Sequence, residues 1–308
     1  MSEAVAAAAE QLGPLAQRAV PIGPRTTYRV GGPASLFVEV ASEQDLARVV
    51  AAVHVSGVEV LAVGKGSNML VADAGFDGLA LVLGEAFATV DLTDPVRAGG
   101  AASLPVVARA TVRGGFTGFE WAVGVPGSVG GAVRMNAGGH GSEMVEVLRS
   151  ARVVDLRTGD DRMVAVGDLG LGYRCSKIEP HQLVLAAELE LATGDRAAGE
   201  RQLSEVVAWR RANQPGGQNA GSVFANPPGD AAGRLIDAAG CKGLRVGSAE
   251  VSAKHANFFQ ADAGGSADDL WALMRAVRDR VQETSGVVLH PETRLIGFPP
   301  LDGADGHG

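Results

Sequence analysis

Apolar positions along this chain follow two periods. LFVEV at 36–40, VEVLAV at 58–63 and LALVL at 79–83 are short runs rich in β-branched residues, and they read as strands. Between the first two, SEQDLARVVAAVHVSG switches to a helical period. Leu46, Val49, Val50 and Val53 form one stripe, Ser42 stands at the cap with Asp45 three residues on, and Gly57 is a stop. Residues 1–83 therefore predict a small α/β lobe. Residues 84–195 are punctuated by glycine, with a short helix over Leu104–Arg113 and strand runs such as ARVVDL and LVLAAELEL, which predicts an α+β lobe. Helical spacing returns in RQLSEVVAWRRAN (Leu203, Val206, Val207, Arg210), in DAAGRLIDAAG and in SADDLWALMRAVRDRVQETSG. In the last of these Ser266 caps, and Leu270, Leu273, Met274, Val277 and Val281 line one face. Residues 196–287 are read as a third, α+β domain. The closing strand VVLHPETRLIG is expected to return to the second lobe, completing it with 288–308, and the tail LDGADGHG is expected to fray.

Composition narrows the partners. A length of 308 residues suits two or three domains, and 46% apolar residues is ordinary for a globular protein. The formal net charge of −8 argues against nucleic acid or an anionic membrane as the main partner. Cys175 and Cys241 form neither a CxxC pair nor a zinc spacing, and the six histidines show no HExxH, so no metal is expected. The start MSEAVAAAAEQLGPLAQ is a poor signal peptide, and no apolar run approaches the roughly 18–20 residues of a membrane span. The expectation is a cytoplasmic protein, and a monomer, because no apolar helix face is evidently left over.

Two glycine loops carry the candidate chemistry. In VGKGSNMLVAD, a strand ends in Gly64, Lys65, Gly66, Ser67 and Asn68, whose N–H groups can form a nest for phosphate oxygens; a plain tight turn is the competing reading. No Gly-Lys-Ser/Thr makes it a Walker A loop, and it lacks the third glycine of a Rossmann fingerprint. In GVPGSVGGAVRMNAGGHG at 124–141, seven of eighteen residues are glycine. Either the backbone turns tightly and often, or something large lies directly against it. Gly124, Val125, Pro126, Gly127, Ser128, Gly130, Gly131, Asn136 and Gly138 are the candidates there. Ser128 is no nucleophile elbow, because residue 126 is proline. Two such loops in consecutive lobes suit one long ligand, such as a pyrophosphate dinucleotide; two unrelated loops are the competing reading. Further polar candidates are Tyr173 and Arg174 in GYRCS, Ser222 and Asn226 in GSVFANPPGD, Lys254, His255 and Asn257 in VSAKHANFF, and Glu292 and Arg294 in HPETRLIG. Singly, each is more often a satisfied packing or surface residue than part of a site.

Together these stretches resemble the UDP-N-acetylenolpyruvoylglucosamine reductase family. TTYRVGGPA, VGKGSNMLVADAGFDG, GFEWAVGVPGSVGGAVRMNAGG, LGYRCS, AGSVFANP, AGRLIDAAGCKG, VSAKHANFF and PETRLIG occur in the family's order, from Thr26 to Gly297. The resemblance implies a two-lobed FAD-binding module of the vanillyl-alcohol-oxidase type plus a C-terminal α+β substrate-binding domain. It implies non-covalent FAD, with the pyrophosphate against the amides of both glycine loops, and NADPH as co-substrate. The small-molecule substrate is a UDP-sugar of peptidoglycan precursor synthesis.

The resemblance also assigns roles. Hydride from the flavin would reach the enolpyruvyl β-carbon, Arg174 and Glu292 would stabilise the enolate-like charge, and Ser222 would protonate the α-carbon. Tyr173, Asn226 and Lys254 would contact substrate. Two departures stand out. Where the family's serine motif often carries lysine this chain has Ala225, and only 45 residues lie between Ser176 and Ser222, which leaves no room for the tyrosine-bearing loop of longer relatives. The alternatives are an alcohol-oxidase-type FAD enzyme on the same module and a flavin-free UDP-sugar sensor.

Overall fold

A computed structural model describes residues 2–301, so the expectation that LDGADGHG frays falls, past Leu301, outside the described residues. The chain divides into two units. The first comprises Met1–Ala19, Ser35–Lys65 and Asp77–Arg210; the second comprises Val20–Ala34, Gly66–Phe76 and Arg211–Gly308.

Two cores form within the first unit. One lies between a four-stranded sheet, ordered Gln17–Pro21, Pro33–Val40, Phe76–Leu83, Val60–Ala62, and the helices α1 (Glu3–Leu12) and α2 (Glu43–Ser56). The predicted features of α2 are present. Ser42 Oγ accepts the Asp45 N–H at 3.1 Å, Gly57 ends the helix at φ 64°, and Leu46, Val49 and Val53 are buried. Helix α1 was not expected. Its alanines show no apolar stripe in sequence, yet Val5, Ala8 and Leu12 are fully buried. The Arg48 guanidinium donates to the Leu12 carbonyl at 2.9 Å and so ties α2 to the end of α1.

The second core backs a five-stranded antiparallel sheet, ordered Asp161–Ala165, Leu148–Asp155, Gln182–Leu189, Val96–Gly99, Val90–Asp91. Against it pack α3 (Leu104–Arg113), α4 (Val129–Arg134) and the first half of α5 (Arg196–Asn213). The sequence reading gave α5 to the third domain. Instead Leu203 and Val206 enter the second-lobe core, and a Cβ at Gly199 would stand 2.8 Å from Val112 Cγ1. One stripe, Gly199, Leu203 and Val206, fixes this seat, with glycine allowing the closest approach.

The second unit surrounds α7 (Ala267–Ser285), whose five predicted stripe residues Leu270, Leu273, Met274, Val277 and Val281 are fully buried. α6 (Ala232–Ala238) and a three-stranded sheet, Arg245–Val246, Ala249–Val251 and Phe259–Ala261, complete the core, together with Tyr28, Val30 and Leu70 from the earlier segments. The closing strand is shorter than predicted, Arg294–Ile296. It pairs in parallel with Met69–Val71, not with the second lobe. The bonds from Arg294 N–H to Asn68 O (3.1 Å) and from Ala72 N–H to Ile296 O (2.9 Å) bracket that pairing.

Candidate active site

In the first unit a cleft of about 100 Å³ opens where the strand Val60–Ala62 ends. Gly64, Lys65, Ser128, Gly130, Gly131 and Arg134 form its polar side, and Leu81, Leu83 and Leu183 its apolar side. Here the two glycine loops touch. A Cβ on Gly64 would lie 2.5 Å from Ser128 Oγ, and one on Gly130 would lie 3.0 Å from Val184 O. Ser128 Oγ accepts the Gly131 N–H at 3.3 Å and so caps α4.

The two loops differ in what their amides do. In the second, Gly127, Val129 and Gly130 donate to Val125, Ala102 and Gly100 at 2.8–2.9 Å. Those three N–H groups are already spent within the protein, and there the glycines permit close backbone packing. Among the described residues, no backbone N–H of 64–68 donates within the protein. That loop keeps the open amides a phosphate requires. In the second unit its far end is pinned by the Asn68 side chain, which donates to Glu292 O at 3.1 Å. Thr27 N–H reaches Gly66 O at 3.0 Å, and a Cβ on Gly66, where φ is 60°, would strike Arg25 O at 2.3 Å.

Other candidates of the second loop have structural roles. Asn136 is fully buried, its amide donates to Gly172 O at 3.0 Å and accepts from Val145 N–H at 2.9 Å. No side-chain group is left for a cofactor. Gly124 is covered by α5: Arg210 donates to its carbonyl, and a Cβ would meet Val206 Cγ1 at 3.0 Å. Burial lowers the pKa of Arg210 below the ordinary arginine value. Val125 is half-buried, Pro126 is exposed, and the Gly127 carbonyl accepts from Leu104 at 3.0 Å.

Asn136 instead shapes the Arg174 turn. Gly172 and Cys175 bond each other's backbones at 3.1 and 3.3 Å, and Arg174 between them adopts φ 56°. Its guanidinium donates to Asn136 O (3.4 Å) and Gly138 O (3.1 Å) and lies 5.1 Å from the ring centre of the exposed Tyr173. Ser176 Oγ donates to Arg134 O at 2.6 Å, closing the same stitch.

In the second unit the segment that follows Ser222 is bonded to the segment that carries Glu292. The Glu292 N–H donates to Val223 O at 2.8 Å, and Ala225 N–H donates to His290 O at 2.9 Å. Both side chains are half-buried. Asn226 and Lys254, read as substrate contacts, are exposed and already bonded. Asn226 Oδ1 accepts the Ala232 N–H at 3.0 Å at the start of α6, and Lys254 Nζ donates to Arg211 O at 2.6 Å. Reasoning from sequence missed Arg134, and it named Asn257 without giving it a role. The buried Asn257 amide bonds both backbone groups of Phe224. The residue's place in VSAKHANFF marks it, but no periodicity shows what it holds.

Residues 213–296 match the family model for the C-terminal domain of UDP-N-acetylenolpyruvoylglucosamine reductase, and 34–162 match an FAD-binding domain. Over 281 residues the chain is 44% identical to the reductase of Heliobacterium modesticaldum, covering 90% of this chain and 89% of that one. The chain belongs to the UDP-N-acetylenolpyruvoylglucosamine reductase family. The reductase of Rubrobacter xylanophilus is 41% identical over 295 residues, covering 94% of this chain and 98% of its own. The crystal structure of the Thermus caldophilus reductase has a TM-score of 0.80 at 35% identity, covering 91% of this chain and 98% of that one. Membership of the reductase family agrees with the expected fold class, an FAD-binding module plus a C-terminal domain. It favours the reductase over an alcohol oxidase. The cleft fits FAD: it lies largely within the matched FAD-binding stretch and combines open amides, Lys65 and an apolar wall. No helix among the described residues is long and apolar enough to cross a membrane.

Proposed function

We propose that this chain reduces UDP-N-acetylenolpyruvoylglucosamine to UDP-N-acetylmuramate with NADPH, in peptidoglycan precursor synthesis. The observation that carries this reading is the backbone bond from Glu292 N–H to Val223 O, one residue past Ser222, within a chain matching the reductase family along nearly its whole length. Lys65 and the free amides of 64–68 hold the FAD phosphates, and Leu81, Leu83 and Leu183 wall off water. FAD held there would supply the hydride chemistry, with NADPH as the source of the hydride.

The substrate then carries negative charge at its α-carbon, spread into the adjacent carboxylate. Arg174, held by two carbonyls, presents fixed positive charge to such an anion, which in a desolvated site stabilises it. Ser222 Oγ gives its proton to the α-carbon. A serine is a weak acid, but a carbanion is a strong enough base to take that proton. Glu292 sits beside it as the hydrogen-bonding partner of the developing enolate. The substrate-binding domain is the second unit, without α5's first half. The chain acts in the cytoplasm, where a nucleotide-activated sugar and NADPH meet, as a monomer and without nucleic acid.

The test is product analysis. Purified protein given NADPH and enolpyruvyl-UDP-GlcNAc should consume one NADPH per product heavier by two hydrogens. NADPH loss without that product, or a colourless protein that takes up no FAD, overturns the reading.

A further inference from the structure

Three segments run side by side around Ser222 in the second unit. Ser222 pairs with Phe258 on one side, and Phe224 pairs with Pro291 on the other. Gly221 precedes the serine at φ 79°, with no side chain to pack, and its N–H donates to Asn219 Oδ1 at 3.1 Å. The residues that follow are held more fully. Asn257 accepts the Val223 N–H on its own carbonyl at 2.9 Å. Its side chain accepts the Phe224 N–H at 3.0 Å and donates to Phe224 O at 2.8 Å.

An asparagine amide places an acceptor oxygen and a donor nitrogen side by side, which is what the two backbone groups of a single residue need. Phe224 is 1% exposed, so without Asn257 neither group would find water. Asn257 is 3% exposed and is itself held, its N–H donating to His255 Nδ1 at 3.3 Å. It has no free surface to offer a ligand.

We propose that Asn257 is a positioning residue for Ser222. It clamps the two residues after the serine, Val223 and Phe224, while the Glu292 N–H on Val223 O fixes them from the opposite side. The proposal rests on the reading of Ser222 as proton donor. A merely structural asparagine would weaken the domain as a whole; a positioning residue acts through the serine alone.

The experiment uses the FAD-loaded protein and stopped-flow on each half-reaction, with Asn257→Ala and Asn257→Gln made alone and with Ser222→Ala. The expected result for Asn257→Ala is NADPH bleaching of the flavin within about 2-fold of wild type. The return of absorbance on adding enolpyruvyl-UDP-GlcNAc should be slower by about 10–100-fold. Asn257→Gln, which keeps both amide groups on a longer stem, should fall between, and it carries the comparison should Asn257→Ala retain no FAD. Combined with Ser222→Ala, either change should slow the return by less than about 3-fold further, because the group being positioned is gone. Equal slowing of both halves, or a full additional loss on top of Ser222→Ala, overturns the proposal. So does a wild-type return in Asn257→Ala beside a slow Ser222→Ala, which leaves the proton-donor reading standing. A wild-type return in Ser222→Ala overturns that reading and the proposal with it.

Discussion

Gly64→Ala tests whether the contact between the two glycine loops sets cofactor affinity. The backbone at Gly64 lies outside the left-handed region, so alanine brings no φ strain there. The obstacle is one atom: the new Cβ would lie 2.5 Å from Ser128 Oγ, while Ser128 Cβ at 3.5 Å is an ordinary contact. Ser128 is 4% exposed and caps α4 through the Gly131 N–H. Turning its hydroxyl away therefore forfeits a cap, typically about 1 kcal/mol. Leaving it in place forces apart two backbones that line the cleft. Either way about 1–2 kcal/mol falls on the bound state, which is about 5- to 30-fold in FAD affinity. The assay is titration of apoprotein with FAD by quenching of flavin fluorescence. Ser128→Ala should weaken FAD modestly by itself, and in the double variant the clash is absent. Gly64→Ala/Ser128→Ala should then bind FAD as Ser128→Ala does. Losses that simply add in the double variant would refute the reasoning, as would wild-type affinity in Gly64→Ala.

Three further outcomes follow from the same geometry. Asn136→Ala strands the Gly172 carbonyl and the Val145 N–H at a fully buried site, and should lower Tm in a thermal melt by about 5–15 °C. Arg174→Ala should leave NADPH reduction of the flavin intact and slow turnover of the enolpyruvyl substrate by about 10²–10³-fold, read in separate half-reactions. Tyr28 is fully buried, and burial pushes its phenol well above the usual value of 10.0. Above that pH the unfolded chain loses the proton while the folded chain keeps it, so stability falls as pH rises, by up to about 1.4 kcal/mol per unit. Urea melts of Tyr28→Phe between pH 9 and 11 (about one unit either side of that value) should show a shallower fall.

The sequence disclosed what short-range rules encode. Helices α2 and α7 were legible because a serine cap, an apolar stripe and a left-handed glycine stop agree within each. Helix α1 was hidden because alanine serves buried and exposed faces alike. The seat of α5 depended on Gly199, whose value lies in the Val112 side chain it admits, and no pattern within α5 reveals a partner in α3. The site divides in the same way. Motifs marked Arg174, Ser222 and Glu292, but the hydrogen bond joining residues 223 and 292 spans a separation that periodicity cannot register. Asparagines were hardest to place. Asn136, Asn226 and Asn257 all stand in motifs, yet each amide is bonded to backbone, and sequence distinguishes no backbone partner from a ligand.

The most direct measurement of the central claim is an anaerobic two-step titration of the purified yellow protein. NADPH should bleach the flavin absorbance, and enolpyruvyl-UDP-GlcNAc added afterwards, without oxygen, should restore it in proportion to the substrate supplied. Absorbance that stays bleached until air is admitted would contradict the account and show an oxidase in its place.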